Sequence, residues 1–416
     1  MIGSCSCVFN SVSKILSVFI NRSLALFFLT FVAINTHAGP REQAKRMHER
    51  LAVVPPSEAI LDTMTNDISS GDALTAAYRA IETDGFYSVG LKNWITPWTN
   101  EEQTVFAPLN DYTATVIGIV RDEIDFREIL SGDIIYTGNA SLGLPAYSNS
   151  NNNHYEALES QRHSLLTGLV QSTQSSVTGL PSEATAGVVT TRAAAKAFFI
   201  AGTNRAMFRF TLMNHMCTDL EPLMDTSRSP DRIRRDVSRS PGGDSRIFLN
   251  NCIGCHTGMD PLSQAYAYYE YEYDSDADPE GMNGRMIYND VGQTDPLTGT
   301  RVTYKHLINA ESFPTGFIIT DDKWDNYWRA GRNANLGWSD ALSGSGNGAK
   351  SMGQELANSQ AFASCQVKKV FNQVCHRDPV DSTDRAQVDA MTNSFTSSGY
   401  NIKQVFAETA VFCMGD

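Results

Sequence analysis

Phe362-Ala363-Ser364-Cys365-Gln366-Val367-Lys368-Lys369-Val370-Phe371-Asn372-Gln373-Val374-Cys375 is the stretch that decides the fold class. Val367, Val370, Phe371 and Val374 recur at i, i+3, i+4 and i+7, which lines one face of an α-helix and no face of a strand. Downstream, Val388, Met391 and Phe395, then Ile402, Val405 and Phe406, predict two further helices separated by Gly399. Upstream, from Arg41 to about Tyr136, the pattern is again mostly helical, with runs at Ala59 to Ile68, Leu74 to Ile81 and, strongest, Tyr112 to Leu130. A long helix is expected from about Thr190 to Met216. No repeat and no run of a parallel-sheet unit interrupts this, so the expectation is an all-α protein with long irregular loops.

The same helix constrains the cysteines. Cys365 and Cys375 on one helix stand about 15 Å apart at ~1.5 Å per residue, too far for a mutual bridge. Each then needs a partner elsewhere, with Cys217 and Cys413 available, and the spacing does not choose between the two ways of pairing them. Such bridges belong to an oxidising compartment. The N-terminus agrees: Lys14 and Arg22, the apolar run Leu24 to Ile34 and the small-residue site Thr36-His37-Ala38 read as a signal peptide over residues 1–38, with the mature chain starting at Gly39. The expected location is the periplasm or the cell surface. A retained anchor is the competing reading, but Asn21, Arg22 and Ser23 break the run, and no later stretch is apolar enough for an integral membrane domain.

At 416 residues and 42% hydrophobic content, the chain is long enough for a large core or two. The division expected is a helical N-terminal region, 39–217, and a haem-binding region with C-terminal helices, 218–416. Within the first, the Gly/Ser/Asn-rich segment Gly138 to Asn153 is the best candidate for a flexible loop or boundary, and at the start of the second the Pro-containing Thr218 to Arg246 reads as an extended excursion. The formal charge of −13 argues against nucleic acid or anionic lipid as partner.

With Cys5 and Cys7 in the signal segment, two cysteines of the mature chain remain, in Cys252-Ile253-Gly254-Cys255-His256, the spacing that attaches a c-type haem. Two thiols three positions apart each form a thioether to a haem vinyl group, and the histidine that follows is delivered to the iron. The rivals are a thiol redox pair, which needs an αβ context that is missing here, and half of a zinc site, for which the second ligand pair is missing. Asn372 stands where Cys375-His376 would need a thiol, so one haem is expected. The second axial ligand separates electron transfer from catalysis. Met352, after the Gly-rich loop Gly344 to Gly348, is the first choice, with Met282, Met286 and His306 as alternatives and plain packing of Met352 as the other reading. Trp324, Trp328, Arg332 and Trp338 are candidates to wall the haem, against ordinary packing. The basic run Arg232, Arg234, Arg235 and Arg239 reads as a solvated loop or a docking patch. His48, His154, His163, His215 and His376 suggest no shared metal site.

The run Cys252 through Thr257-Gly258-Met259-Asp260-Pro261-Leu262 resembles the planctomycete-type cytochrome c-like family of exported bacterial haem proteins. Shorter stretches are similar to it too: Val120-Arg121-Asp122, Phe126-Arg127 and Asp133 to Tyr136; Asn204-Arg205-Ala206; and Phe362 to Val367 with Arg377-Asp378-Pro379. After Leu262 the chain departs from the family pattern, with Tyr266 to Tyr273 replacing a Gly-containing stretch. The resemblance implies a helical exported haem protein. The expected function is an exported monohaem c-type cytochrome that transfers single electrons between redox partner proteins, with no catalytic residue of its own. The alternatives are a haem oxidase or peroxidase with an open distal site, and a binding protein in which the haem is structural.

Overall fold

The structure, a computed structural model, describes residues 38–199, 204–234, 237–288, 293–294, 301–302 and 321–415. The proposed signal peptide, Arg235 and His306 lie outside the described residues. The main helices are α1 (Pro40–Ala52), α2 (Glu58–Ser69), α3 (Ala73–Ile81), α4 (Asp111–Arg121), α5 (Arg192–Phe199), α6 (Asn204–Met216), α7 (Ile253–Ser263), α8 (Gly348–Ala357), α9 (Gln360–Cys375), α10 (Ser382–Ser397) and α11 (Ile402–Cys413). Their starts are written locally. Ser57, Asp72, Asn110, Ser359, Asp381 and Asn401 each accept a backbone N–H from the first turn of the helix they precede. No helix among the described residues is long and apolar enough to cross a membrane.

The expected helical class holds, with additions. Four antiparallel two-stranded ladders accompany the helices: β1 (Ile135–Gly138) with β2 (Leu169–Ser172), β3 (Tyr269–Tyr273) with β4 (Gly284–Tyr288), β5 (Gln293–Thr294) with β6 (Arg301–Val302), and β7 (Lys323–Asp325) with β8 (Ser345–Asn347). The run expected from Tyr112 to Leu130 stops at Arg121, because Glu123 takes a left-handed conformation (φ 54°) that turns the chain. The segment Gly138 to Asn153 is fastened rather than loose. Gly138 N–H donates to His154 Nε2 at 2.8 Å, His154 Nδ1–H donates to the Pro145 carbonyl at 2.7 Å, and Asn149 donates to the Thr178 carbonyl at 2.7 Å.

The C-terminal helices fold back on the N-terminal ones. α9 packs on α10 and α11, and α11 lies against α1 and α3. Phe406 of α11 stands edge-on to both Phe86 and Trp94, with centroids 5.1 and 5.0 Å away. One buried apolar cluster runs from Ala44 to Cys413 and includes side chains on both sides of residue 217. Cys217 is bonded to Cys365 and Cys375 to Cys413, fastening the end of α6 to α9 and the ends of α9 and α11 to each other.

Candidate functional site

Cys252 is the N-cap of α7, and a single π turn, Phe248–Cys252, leads into it. At roughly 100° per residue, Cys255, Cys252 and His256 fall within an arc of about 100° on one side of this helix, while Gly254 and Gly258 lie roughly 160° around from His256. Both glycines are buried, and what covers them is close. A Cβ on Gly258 would sit 1.9 Å from Trp328 Nε1, and one on Gly254 would meet Met224 and Thr226 at 3.4 to 3.5 Å. Hydrogen bonds hold the same side: Asp225 N–H to the Gly254 carbonyl at 3.0 Å, and the Thr257 hydroxyl to the Asp225 carbonyl at 2.9 Å. The rear of α7 is therefore wedged, and its front carries the two thiols and the imidazole, all half-buried.

Cys252 and Cys255 are free thiols, whereas Cys217, Cys365, Cys375 and Cys413 are paired. Burial, with help from Glu221, Asp219 and Cys252, pushes the Cys255 thiol up, the reverse of what activates a redox-active pair. Beside Cys252, Ile247 and Leu249 are 41% and 54% exposed, apolar side chains left in water next to the motif.

His256 is oriented from behind. Its Nδ1 lies 3.0 Å from Oδ1 of Asp260, one turn along the helix and fully buried. Arg205 of α6 grips the same carboxylate with Nε to Oδ1 at 2.8 Å and a terminal nitrogen to Oδ2 at 3.0 Å, and the Arg234 backbone N–H donates to Oδ2 at 3.1 Å. Burial alone would raise the Asp260 carboxyl; hydrogen bonds from His256 and Arg205 and the charges of Arg205 and Arg234 overcome it and hold the group well below the usual carboxylate range. An ionised carboxylate only accepts, so Nδ1 carries the proton, and in the neutral ring the lone pair is then on Nε2. A carboxylate behind a histidine orients the ring for a metal in this way. Asn204 completes the network, donating to the Ser263 carbonyl at 2.7 Å and accepting from Arg234 at 2.5 Å.

The donor set fits a covalently attached haem: two free thiols, one imidazole with Nε2 available, and apolar neighbours. Among the described residues no group of three or more His, Cys, Asp or Glu is placed to hold a metal ion. Met352, by contrast, is wholly buried in the main core on α8. That helix is pressed so close to the short helix Glu128–Ser131 that a Cβ on Gly353 would stand 1.8 Å from the Leu130 carbonyl oxygen. Met286 is buried on β4 and Met282 is exposed.

The tryptophans brace α7 rather than offering N–H groups at its thiol face. Trp324 donates to Ser351 at 2.8 Å, Trp338 donates to the Trp328 carbonyl at 3.0 Å, and Trp328 lies on Gly258. Arg332 is exposed and reaches the Met224 carbonyl at 3.3 Å. Of the described members of the basic run, Arg232 pairs with Asp325 and Arg234 is buried, while Arg239 is exposed and donates to the carbonyls of Val237 and Ile233. Asp260, Arg205 and Asn204 are the candidate-site residues that periodicity does not find. The i, i+4 spacing of His256 and Asp260 is the available signal.

No family model matches the chain, and neither a curated protein nor a solved structure matches it. The resemblance to planctomycete-type cytochrome c-like proteins thus rests on its quoted stretches alone. Two of them, Asn204-Arg205 and the run through Asp260, meet in the network behind His256.

Proposed function

We propose that the protein is an exported c-type cytochrome that carries one haem on Cys252, Cys255 and His256 and passes single electrons between redox partner proteins. The observation that carries this reading is the α7 face itself: two unpaired thiols and an imidazole whose Nδ1 is tied to a buried carboxylate. When bound, haem supplies one-electron exchange at iron, at a potential tuned by axial ligation and burial. The chain's own part is mechanical and electrostatic. Gly254 and Gly258 let the helix sit against Met224 and Trp328, and Asp260 fixes the imidazole ring. Two disulfides among the remaining cysteines support an oxidising compartment, hence the periplasm or cell surface.

The second axial position decides between carrier and catalyst. Met352, wholly buried on α8, is the ligand this reading takes from the sequence, and the alternative is an open iron that binds peroxide or oxygen. Optical spectra of the purified protein test the choice. A carrier gives a low-spin, six-coordinate ferric spectrum and a reduced form inert to carbon monoxide. A high-spin ferric spectrum with rapid carbon monoxide binding would replace it with the oxidase or peroxidase reading.

A further inference from the structure

Away from the thiol face of α7, a pocket of about 490 Å³ opens where the end of α6 meets α9, lined among others by Pro97, Trp98, Met213, Thr218 and Lys369. Lys369 is the anomaly in it. Its Nζ lies 3.2 Å from the centroid of the Trp98 ring and donates to the Asn214 carbonyl at 2.7 Å. An ammonium has three N–H donors, and among the described residues no carboxylate pairs with this one. Asp219, the acid in the pocket wall, is taken by Arg209 through bonds of 2.7 and 2.5 Å. His215, behind the pocket, offers no countercharge either, because burial and the Lys369 charge hold its imidazole neutral. Burial likewise pushes the Lys369 ammonium well below the usual lysine range, and an incoming carboxylate opposes that shift, so its binding favours the protonated amine and draws a proton from solvent where the free amine has lost it.

We propose that this pocket binds a small monocarboxylate, with its carboxyl group on Lys369 and its apolar body against Met213 and Pro97. A phosphate fits less well, since it needs more converging donors than one amine beside Thr218 and Gln103. The site is independent of the haem reading, sharing only the short stretch Cys217 to Leu220 with the surroundings of Cys255, whose Sγ lies 3.7 Å from the Leu220 carbonyl.

Isothermal titration calorimetry of the purified full protein with benzoate tests it, and benzyl alcohol serves as the uncharged probe of like size. Benzoate binds about tenfold or more tightly than benzyl alcohol, the worth of roughly one charge-assisted hydrogen bond. Lys369→Met removes that difference and Lys369→Arg keeps part of it, with the haem spectrum unchanged throughout, which separates this pocket from ligation at iron. If Lys369→Met does not fold, the comparison of the two probes on the parent protein stands alone. No benzoate binding, equal binding of the two probes, or undiminished benzoate binding by a folded Lys369→Met protein overturns the proposal.

Discussion

In the layer where α11 lies on α1 and α3, Phe406 is held between Phe86 and Trp94, and Gln43, Arg46 and Arg50 of α1 donate to the last carbonyls after α11 at 2.7, 2.8 and 2.5 Å. Apolar burial and satisfied helix ends hold that layer, and a disulfide closes it. α7 is held differently. Its front remains half-buried, its rear is two glycines against an indole and a methionine, and its anchor is the buried Asp260 gripped by Arg205. A scaffold held by non-directional burial tolerates small shifts, but a bidentate ion pair and a hydrogen bond to Nδ1 fix one ring in one orientation. The difference lies in what holds one side chain: behind His256, a buried carboxylate gripped by a guanidinium fixes the ring that would meet the iron.

Breaking the ionic anchor tests that contrast most severely. Asp260→Ala removes the buried carboxylate that accepts from Arg205 and the Arg234 N–H and should cost about 3–5 kcal/mol, read by chemical denaturation. Asp260→Asn keeps the shape but not the charge, and should lose less stability while still disturbing the haem spectrum through the His256 ring. An unchanged spectrum in Asp260→Asn would mean that the carboxylate does not orient the histidine.

Met352→Ala sharpens the other side of the comparison. As a core position on α8 it should cost about 2–5 kcal/mol as a cavity change. If the residue only packs, the spectrum and the response to carbon monoxide stay as in the parent. If it closes the iron, the variant binds carbon monoxide and its potential falls.

What the sequence made legible follows the same division. The scaffold helices could be read because Val367, Val370, Phe371 and Val374 repeat at helical spacing, and the cysteine pairs were narrowed because Cys365 and Cys375 share that helix. The Cys252-Ile253-Gly254-Cys255-His256 run is contiguous, so its grouping of two thiols and an imidazole is visible without the fold. The anchor is not, since Arg205 and Asp260 are 55 residues apart and leave no local pattern. Likewise the basic run looked solvated because its partners, Asp325 and Asn204, are distant in the chain. The β3 strand did have a signal: Tyr-Glu-Tyr-Glu-Tyr alternates with period two, as a half-buried strand does, and its tyrosines alternate with less buried glutamates. The long helix expected from Thr190 is described in two pieces, α5 and α6, with residues 200–203 outside the described set.

A smaller effect probes the rear of α7. Gly258→Ala places a methyl group on the Trp328 indole and should cost about 1–3 kcal/mol, with the spectrum changed only if the helix is pushed forward. Melting curves followed at the haem band and in the far ultraviolet separate the two responses.

The central claim is that Cys252 and Cys255 attach haem covalently. Haem staining after denaturing electrophoresis, on the parent protein and on the Cys252→Ala/Cys255→Ala double variant expressed with export intact, tests it directly. The account predicts stain on the parent band and none on a double variant that is still present by immunoblot. Stain that persists in the double variant, or a parent band that takes no stain from cells shown to mature other c-type cytochromes, would contradict it.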